Sequence, residues 1–598
     1  MTEEPTEETT EATEPTENLA TCLQDLGITE PQEGEVKFST GEQDWSGYNS
    51  ITADTYSTYN NVIASQMSAG FVYYGTDGTI CRDETFGTFE ALSGIGTDEP
   101  LVVEYTISDD ATWSDGTPIT INDYLMDWVT QNPEFLVPGY ANGENEDAEA
   151  VFNHVSASFA QYVPEGPQGE AGSKTFTIEY NEKNPDWQLM VGSALPAHVV
   201  ADQLGLEPDA WAQAILDRDV DTITQAADFW NTGWLSEPGE LPDPAIAPSA
   251  GPYRLMADGW IAGQSLTLEA NPDYFGTPPA TQLLTFRFLS PGTHVQSLAN
   301  EELNVIEPQA TVDTLTQLEN LGDSVTIDTN SGLTWEHLDY RFAEEDTLDD
   351  GTVVPASPFA ESQGGLAARE AFAYCVPRQQ IVDTLIKPIA PDTELMNARE
   401  SFPFQENYAE VVEAAYDGRY DEVNLDLARE KFAEAGFEEG QVIRLGYNGP
   451  NERRSEQVAL IKASCDQVGF VIEDVSSNEF FTKTLPSGAY DVALFAWAGS
   501  GQIASGQNIY STGRPQNYGQ YSNPEVDAAF NTLAGSLEPE VHLEQVKIIE
   551  KHLWDDLYGL PIFAHPGVVA YTTGLENVRN TVTQSGVSWN AFQWAFAE

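Results

Sequence analysis

Residues 424–450 read NLDLAREKFAEAGFEEGQVIRLGYNGP and residues 451–500 read NERRSEQVALIKASCDQVGFVIEDVSSNEFFTKTLPSGAYDVALFAWAGS. Asn424 is a good helix N-cap, and Leu425, Ala428, Phe432 and Ala435 recur at helical spacing until Gly436 closes the stripe. Ile443, Leu445 and Tyr447 alternate as a strand does. Val458, Ile461, Cys465 and Val468 form a second helical stripe, closed by Gly469. The pattern then predicts a strand over 470–475, a short helix over 480–485 and an almost wholly apolar strand over 490–496. Helices alternating with strands imply a parallel sheet covered on both faces. Ligands of open α/β sheets bind beyond the carboxyl ends of the strands. Trp497 stands at that end of the last strand and is expected to line a cleft; the competing reading is a Trp that merely caps the core.

Upstream the signals are shorter. Val36, Phe38 and Thr40 alternate as a strand, residues 61–67 predict a helix, and residues 71–78 a strand that runs into an Asp77-Gly78 turn. Residues 101–107 and 174–180 predict strands. Ser114-Asp115-Gly116-Thr117-Pro118 is a turn, after which Thr120-Ile121-Asn122-Asp123 leads into a helix that carries Leu125 and Trp128. Residues 231–250, rich in Pro, Gly and acid, mark a loop or a connection between lobes.

With 598 residues the chain has room for two or three domains. Its 41% hydrophobic and 11% aromatic content is that of a globular protein. The apolar runs are far shorter than the roughly 18 residues of a membrane span. There are 97 Asp plus Glu against 24 Lys plus Arg, a net charge of -73. Only seven of those acids lie in the first 17 residues, so the whole surface must be acidic. Such a field repels nucleic acid and anionic lipid, which excludes nucleic-acid partners. The Thr/Glu/Pro tract at the start has no apolar face, and residues 1–34 are expected to be a disordered acidic linker. A tract of this kind beginning at Met1 is read as the spacer that follows a secretion segment and a lipid-modified cysteine; the alternative is a cytosolic protein with an acidic tail.

No catalytic constellation stands out. Seven His are scattered without an HExxH or an i, i+4 pair, and no phosphate-binding Gly loop or GxSxG elbow occurs. Asp217, Asp219 and Asp221 resemble the start of a calcium loop, but Thr222 holds the position that needs Gly, so no metal site and no cofactor are expected. Carboxylates are too abundant here for a pair of them to indicate glycoside hydrolysis. The four Cys show neither CxxC nor zinc spacing. Cys375 and Cys465 lie on apolar helical faces and are either buried thiols or a pair, as are Cys22 and Cys81.

Four segments in order resemble the family 5 extracellular solute-binding proteins, the oligopeptide- and dipeptide-binding group of ABC importers. Trp113 to Pro118 with Asn122-Asp123 is similar to the family's WxDGxPxTAxD pattern. Gly251-Pro252-Tyr253 with Leu266, Leu268 and Asn271-Pro272-Asp273-Tyr274 resembles its GPY…NPxY element. Tyr490 to Trp497 resembles its strand into the ligand-stacking Trp, and Tyr521-Ser522-Asn523-Pro524-Glu525-Val526-Asp527 its YxNPEVD segment. The run at 372–381 and Trp335-Glu336-His337-Leu338-Asp339 look like the actinobacterial lipoprotein branch.

The resemblance implies an α/β, two-lobed, periplasmic-binding-protein-like fold of class II, cluster C, with an additional inserted domain. Lobe I would comprise 35–70, 191–306 and 560–598, the domain II insertion 71–190, and lobe III 307–559. It implies a non-enzymatic receptor that captures a peptide or other small extended solute between the lobes and delivers it to ABC permease subunits. Such a receptor would be a monomer, extracellular and held to the cell surface by a lipid anchor. An envelope-associated regulatory or glycolipid-linked protein on the same scaffold is the alternative, and a secreted hydrolase the least favoured one. The ligand residues implied are Trp497, Ala498, Ser500, Thr55, Tyr56 and Tyr274. Peptide binders of the family place an Asp three residues after the Trp to meet the ligand's ammonium group; here Ser500 stands there. An exported protein would oxidise close thiols. Cys375 and Cys465 share the proposed lobe III, so a disulfide is expected between them, which leaves Cys22 with Cys81.

Overall fold

A computed structural model describes residues 20–138, 150–347 and 353–597. Ten strands form one mixed sheet: β1 (Gln32–Gly41), β2 (Tyr253–Ile261), β3 (Ser265–Ala270), β4 (Thr281–Phe288), β5 (Val305–Ile306), β6 (Val325–Tyr340), β7 (Gln441–Gly446), β8 (Phe470–Asp474), β9 (Val492–Ala498) and β10 (Gly559–Thr572). Their spatial order is β8-β7-β9-β6-β10-β5-β1-β4-β3-β2. The two halves of the sheet meet where β5 runs antiparallel to β10, with Val305 opposite Tyr571 and Ile306 opposite Ala570. That joint is only two residue pairs wide. β10 pairs with β6 from Gly559 to Thr572, so the last long strand lies along the C-terminal half before the chain returns to the N-terminal half.

The C-terminal half grows from the repeat at 424–500. Helix α1 (Gly365–Cys375) packs with α2 (Leu425–Glu434) and α3 (Glu452–Cys465) over β7 and β8. Asn424 caps α2 by accepting the Leu427 N–H at 3.1 Å, and Asn451 caps α3 by accepting the Arg454 N–H at 3.0 Å. Gly436 ends α2 with φ +76, a conformation that other residues adopt at a cost. β7 runs parallel to both β8 and β9, as strands joined through helices must. β6, in contrast, is antiparallel to β9, so the expected parallel sheet is mixed beyond the repeat. Cys375 and Cys465 are joined in a disulfide between α1 and the end of α3.

Within residues 71–190, a three-stranded antiparallel sheet (Gly87–Ser93, Val102–Ile107, Thr175–Glu179) packs with the helix Ile121–Thr130. Thr120 and Asp123 close a reciprocal capping box at the start of that helix. Phe71, Phe89, Tyr105 and Tyr124 continue one apolar cluster with Phe38 and Trp594. The linker expected through residue 34 needs correction over its second part. Cys22 is buried and bonded to Cys81, Arg579 binds the carbonyls of Ala20 and Cys22, and β1 already begins at Gln32. Residues 1–19 lie outside the described residues. Asp219 of the acidic triplet caps a short helix, accepting both the N–H and the hydroxyl of Thr222.

Candidate functional site

β9 is clamped to β6 along its length, with Thr334 opposite Ala498 and Tyr340 opposite Val492. Both ends of this ladder are fixed: Arg341 N–H donates to the Asp491 carbonyl at 3.0 Å, and Gly499 N–H donates to the Leu333 carbonyl at 3.0 Å. Antiparallel pairing alternates, so Phe495 and Trp497 turn their peptide groups toward β6. Ala496 and Ala498 turn theirs the other way. On that side β7 pairs only with Val492 and Ala493. The far end of β9 therefore presents a strand edge that no other strand covers among the described residues.

Aromatic side chains frame this edge. Trp497 is half-buried, and its ring lies nearly parallel to those of His337 (6.2 Å) and Tyr518 (6.3 Å), with Phe495 edge-on at 5.1 Å. Leu333, Trp335, Met396 and Phe402 complete the apolar surface around it. His337 is held by Asp339, whose carboxylate lies 2.9 Å from Nδ1. A carboxylate only accepts, so Nδ1 donates to it. The His337 Nε2 and the Trp497 Nε1 donor are both buried without a hydrogen-bond partner among the described residues. One indole N–H and one imidazole nitrogen thus lack a hydrogen-bond partner in an aromatic setting.

Ser500 follows on the loop after β9, and its hydroxyl accepts the Gln502 N–H at 3.3 Å. The same loop meets Asp186, whose two carboxylate oxygens accept the N–H groups of Ile503 (2.8 Å) and Ala504 (3.2 Å). Burial raises the Asp186 carboxyl, and these two bonds only partly offset that. Glu400 is half-buried near Gly506 on the same side. Burial and the neighbouring Glu550 push its carboxyl up to about 8, against the partial opposition of Arg399.

The other sequence-derived candidates make contacts of their own. Thr55 is 2% exposed, and its hydroxyl donates to the Asn49 carbonyl and meets the Thr52 hydroxyl at 2.8 Å, so it is committed to a local turn. Tyr56, next to it, is 57% exposed. Tyr274 packs on Phe275, which in turn meets Phe86. His337, Tyr518, Asp186 and Glu400 escaped the reading of the sequence. Only His337 left a usable signal: the alternation of Trp335, His337 and Asp339 puts all three on one face of a strand. Among the described residues no helix is long and apolar enough to cross a membrane, and no group of three or more His, Cys, Asp or Glu is placed to hold a metal.

Residues 96–519 match the family described as bacterial extracellular solute-binding proteins, family 5 Middle. An uncharacterized lipoprotein of Mycobacterium tuberculosis is 27% identical over 561 residues, covering 91% of this chain and 91% of that one. The oligopeptide-binding protein OppA of the same species is 26% identical over 533 residues, covering 87% of this chain and 78% of OppA. Among solved structures, the periplasmic EDTA-binding protein EppA superposes with a TM-score of 0.79 at 20% identity, over 96% of this chain and 98% of EppA. AppA of Bacillus subtilis, solved with a nonapeptide, superposes with a TM-score of 0.68 at 16% identity, over 95% of this chain and all of AppA.

The chain belongs to family 5 of the bacterial extracellular solute-binding proteins, and its fold is the cluster C periplasmic-binding-protein fold. It is a solute-binding protein of ABC import, a class that holds its ligand without transforming it, and its relatives include lipoproteins.

Proposed function

We propose that this protein captures an extended solute, a peptide or a molecule of similar shape, along the open edge of β9 and passes it to an ABC permease. The observation that carries this reading is the uncovered edge at Ala496 and Ala498 beside the Trp497 ring. An extended ligand would pair with these peptide groups as an added strand, and side-chain surroundings would set specificity. Trp497, Tyr518 and His337 supply the stacking surface. OppA is an oligopeptide-binding protein by name and AppA was solved with a nonapeptide, which agrees with such a ligand; EppA binds EDTA, so the scaffold also accepts compact anions.

Two lobes close over the solute in this reading, one built from 35–70, 191–306 and 560–598, the other from 307–559, with 71–190 inserted in the first. Because β10 pairs with β6 along its length, residues 559–572 would move with the second lobe rather than the first, and the β5–β10 seam is where the lobes would hinge. We further propose that the protein works as a monomer, tethered outside the cell by a lipid anchor upstream of the acidic tract. Native mass spectrometry of protein purified without refolding tests the reading, because a closed receptor retains its solute. A mass excess matching a peptide, with Trp497→Ala weakening rebinding more than about tenfold (~1.4 kcal/mol) in calorimetry, is expected. Unchanged affinity in Trp497→Ala would remove the β9 ledge from the site.

A further inference from the structure

The loop after β9 is gripped from outside its own half of the molecule. Asp186 lies 317 positions before Ile503, in the inserted segment, yet its two oxygens take the N–H groups of Ile503 and Ala504 at 2.8 and 3.2 Å. A charged acceptor bridging two consecutive amides forms stronger bonds than a neutral one. Tyr74 reaches the same loop. Gly501 has φ +85, and a Cβ added there would stand 3.1 Å from the Tyr74 ring. Tyr74 and Asp186 are themselves neighbours, since the Asp186 charge adds to burial in raising the Tyr74 phenol.

Both residues have firm supports. Tyr74 ends the first strand (Val72–Tyr74) of a hairpin whose second strand (Ile80–Arg82) carries Cys81, bonded to Cys22. The tip of that hairpin is fixed as well: the Thr76 carbonyl accepts the Val582 N–H at 3.0 Å, and the Gly75 carbonyl accepts the Thr581 hydroxyl at 3.0 Å. Asp186 sits beside Trp187, whose ring packs on Phe89 of the insertion's sheet. The loop it holds is more loosely built. Ile503 is exposed, and residues 500–506 lie outside any helix or strand before the short helix Gln507–Tyr510.

We infer that Asp186, backed by Tyr74, is a clasp through which the inserted domain holds loop 498–504 in place and keeps the two lobes closed. The insertion is then a working part of the closure rather than a passenger. Because this loop continues directly from Trp497 and Ala498 at the end of β9, the clasp also positions the proposed ligand edge. Asp186 is a positioning residue on this account and touches no solute. The inference rests on the two-lobed reading above.

Hydrogen exchange followed by mass spectrometry, on the whole chain without added solute, tests it. The amides of Ile503 and Ala504 are expected to exchange at least tenfold faster in Asp186→Ala than in the natural sequence. Asp186→Asn keeps one acceptor oxygen and should fall between. Small-angle scattering should show a larger radius for Asp186→Ala. Equal exchange at these amides in natural protein and Asp186→Ala, with matching melting curves, would overturn the clasp. If Asp186→Ala fails to fold, the same comparison is made with Asp186→Asn, where no acceleration overturns it. Protein without solute suffices, so this result and the solute-binding result can fail independently.

Discussion

Two buried charge clusters lie on opposite faces of β6, and they are balanced in opposite ways. On one face Glu336 is fully buried and meets three partners at full hydrogen-bond distance. Arg454 approaches it with Nε at 2.9 Å and a terminal nitrogen at 3.1 Å, Gln457 donates at 3.0 Å, and His565 Nε2 lies 2.9 Å away. Arg453 stands farther off at 3.9 Å. Burial alone would raise the Glu336 carboxyl; Arg454, the His565 hydrogen bond and Arg453 outweigh it and hold the group well below the usual carboxylate range. Burial, with Arg453 beside it, pushes His565 down to about 4, so at neutral pH its ring is uncharged and Nε2 carries the hydrogen. On the Trp497 side the balance reverses. Arg399 pairs with Glu550 at 3.1 Å, and the Glu550 carboxylate also binds the N–H groups of Arg399 and Glu400. Two acids share one guanidinium, and Glu400 is the one left over. The first cluster is a closed structural joint. The second leaves a protonated carboxyl on the Trp497 side, near the Tyr510 hydroxyl, which is itself buried without a partner among the described residues.

The largest effect that would break this contrast is expected from Glu336→Gln. It strands Arg453 and Arg454 in a dry interior without their counter-charge. Removing one member of a buried ionic group costs about 3–5 kcal/mol. Denaturant unfolding should show that loss without a change in slope. A cost below about 1 kcal/mol would mean that water already reaches the cluster, and that the two faces differ less than their geometry implies.

Glu400→Gln probes the other side and should act mainly through pH. The folded-state carboxyl is raised to about 8 from the ordinary 4.5. Between those values the folded protein holds a proton that the unfolded chain has released. Stability is therefore present at acid pH and falls as pH rises through that window. Glu400 is partly accessible, so the loss is discounted to on the order of 2 kcal/mol between about pH 5 and 8. Glu400→Gln should flatten this slope in melting curves taken across the range. The same slope in both proteins would show that Glu400 ionises normally and that the second cluster is as well balanced as the first.

The contrast also explains what was legible beforehand. The helix and strand periods over 424–500 were plain, because each element buries one apolar face and its ends carry Asn caps and Gly stops. The family-like segments turn out to build the fold. Asn271 donates to the Gly251 carbonyl at 2.9 Å, Ser249 and Ser114 exchange hydrogen bonds, and Asn523 caps the helix Pro524–Ala534. Their order along the chain therefore revealed the architecture. Less of the candidate site's surroundings was legible. Trp497 followed from its place at a strand end, but Asp186, Glu400 and Tyr518 reach it from segments whose local sequence carries no period or cap that points there. Thr55 was inferred by resemblance alone, and its hydroxyl serves a turn. A chain with 97 acids also hides the few that matter, since which of them are buried together depends on contacts between distant segments.

The smallest expected effect sharpens the comparison most. If the solute is a peptide, its amine must find either Ser500 or one of the carboxyls nearby. Ser500 offers one hydroxyl, already bonded to Gln502, and a hydroxyl brings no negative charge to balance an ammonium group. Asp186 is occupied by two amides, and Glu400 is neutral below about pH 8. Neither Ser500 nor Glu400 carries a negative charge at neutral pH and Asp186 already holds two amides in place, so an ammonium left unpaired there would be costly. Acetylating the amine of a bound peptide should then lower affinity less than about tenfold, or ~1.4 kcal/mol, in calorimetry at neutral pH. Should acetylation abolish binding, Glu400→Gln separates the causes. If Glu400→Gln also abolishes binding of the free peptide, Glu400 ionises when the ammonium arrives, and the acid left over in the second cluster is the amine site. If Glu400→Gln binds the free peptide normally, another carboxylate has taken that role and the second cluster is structural like the first.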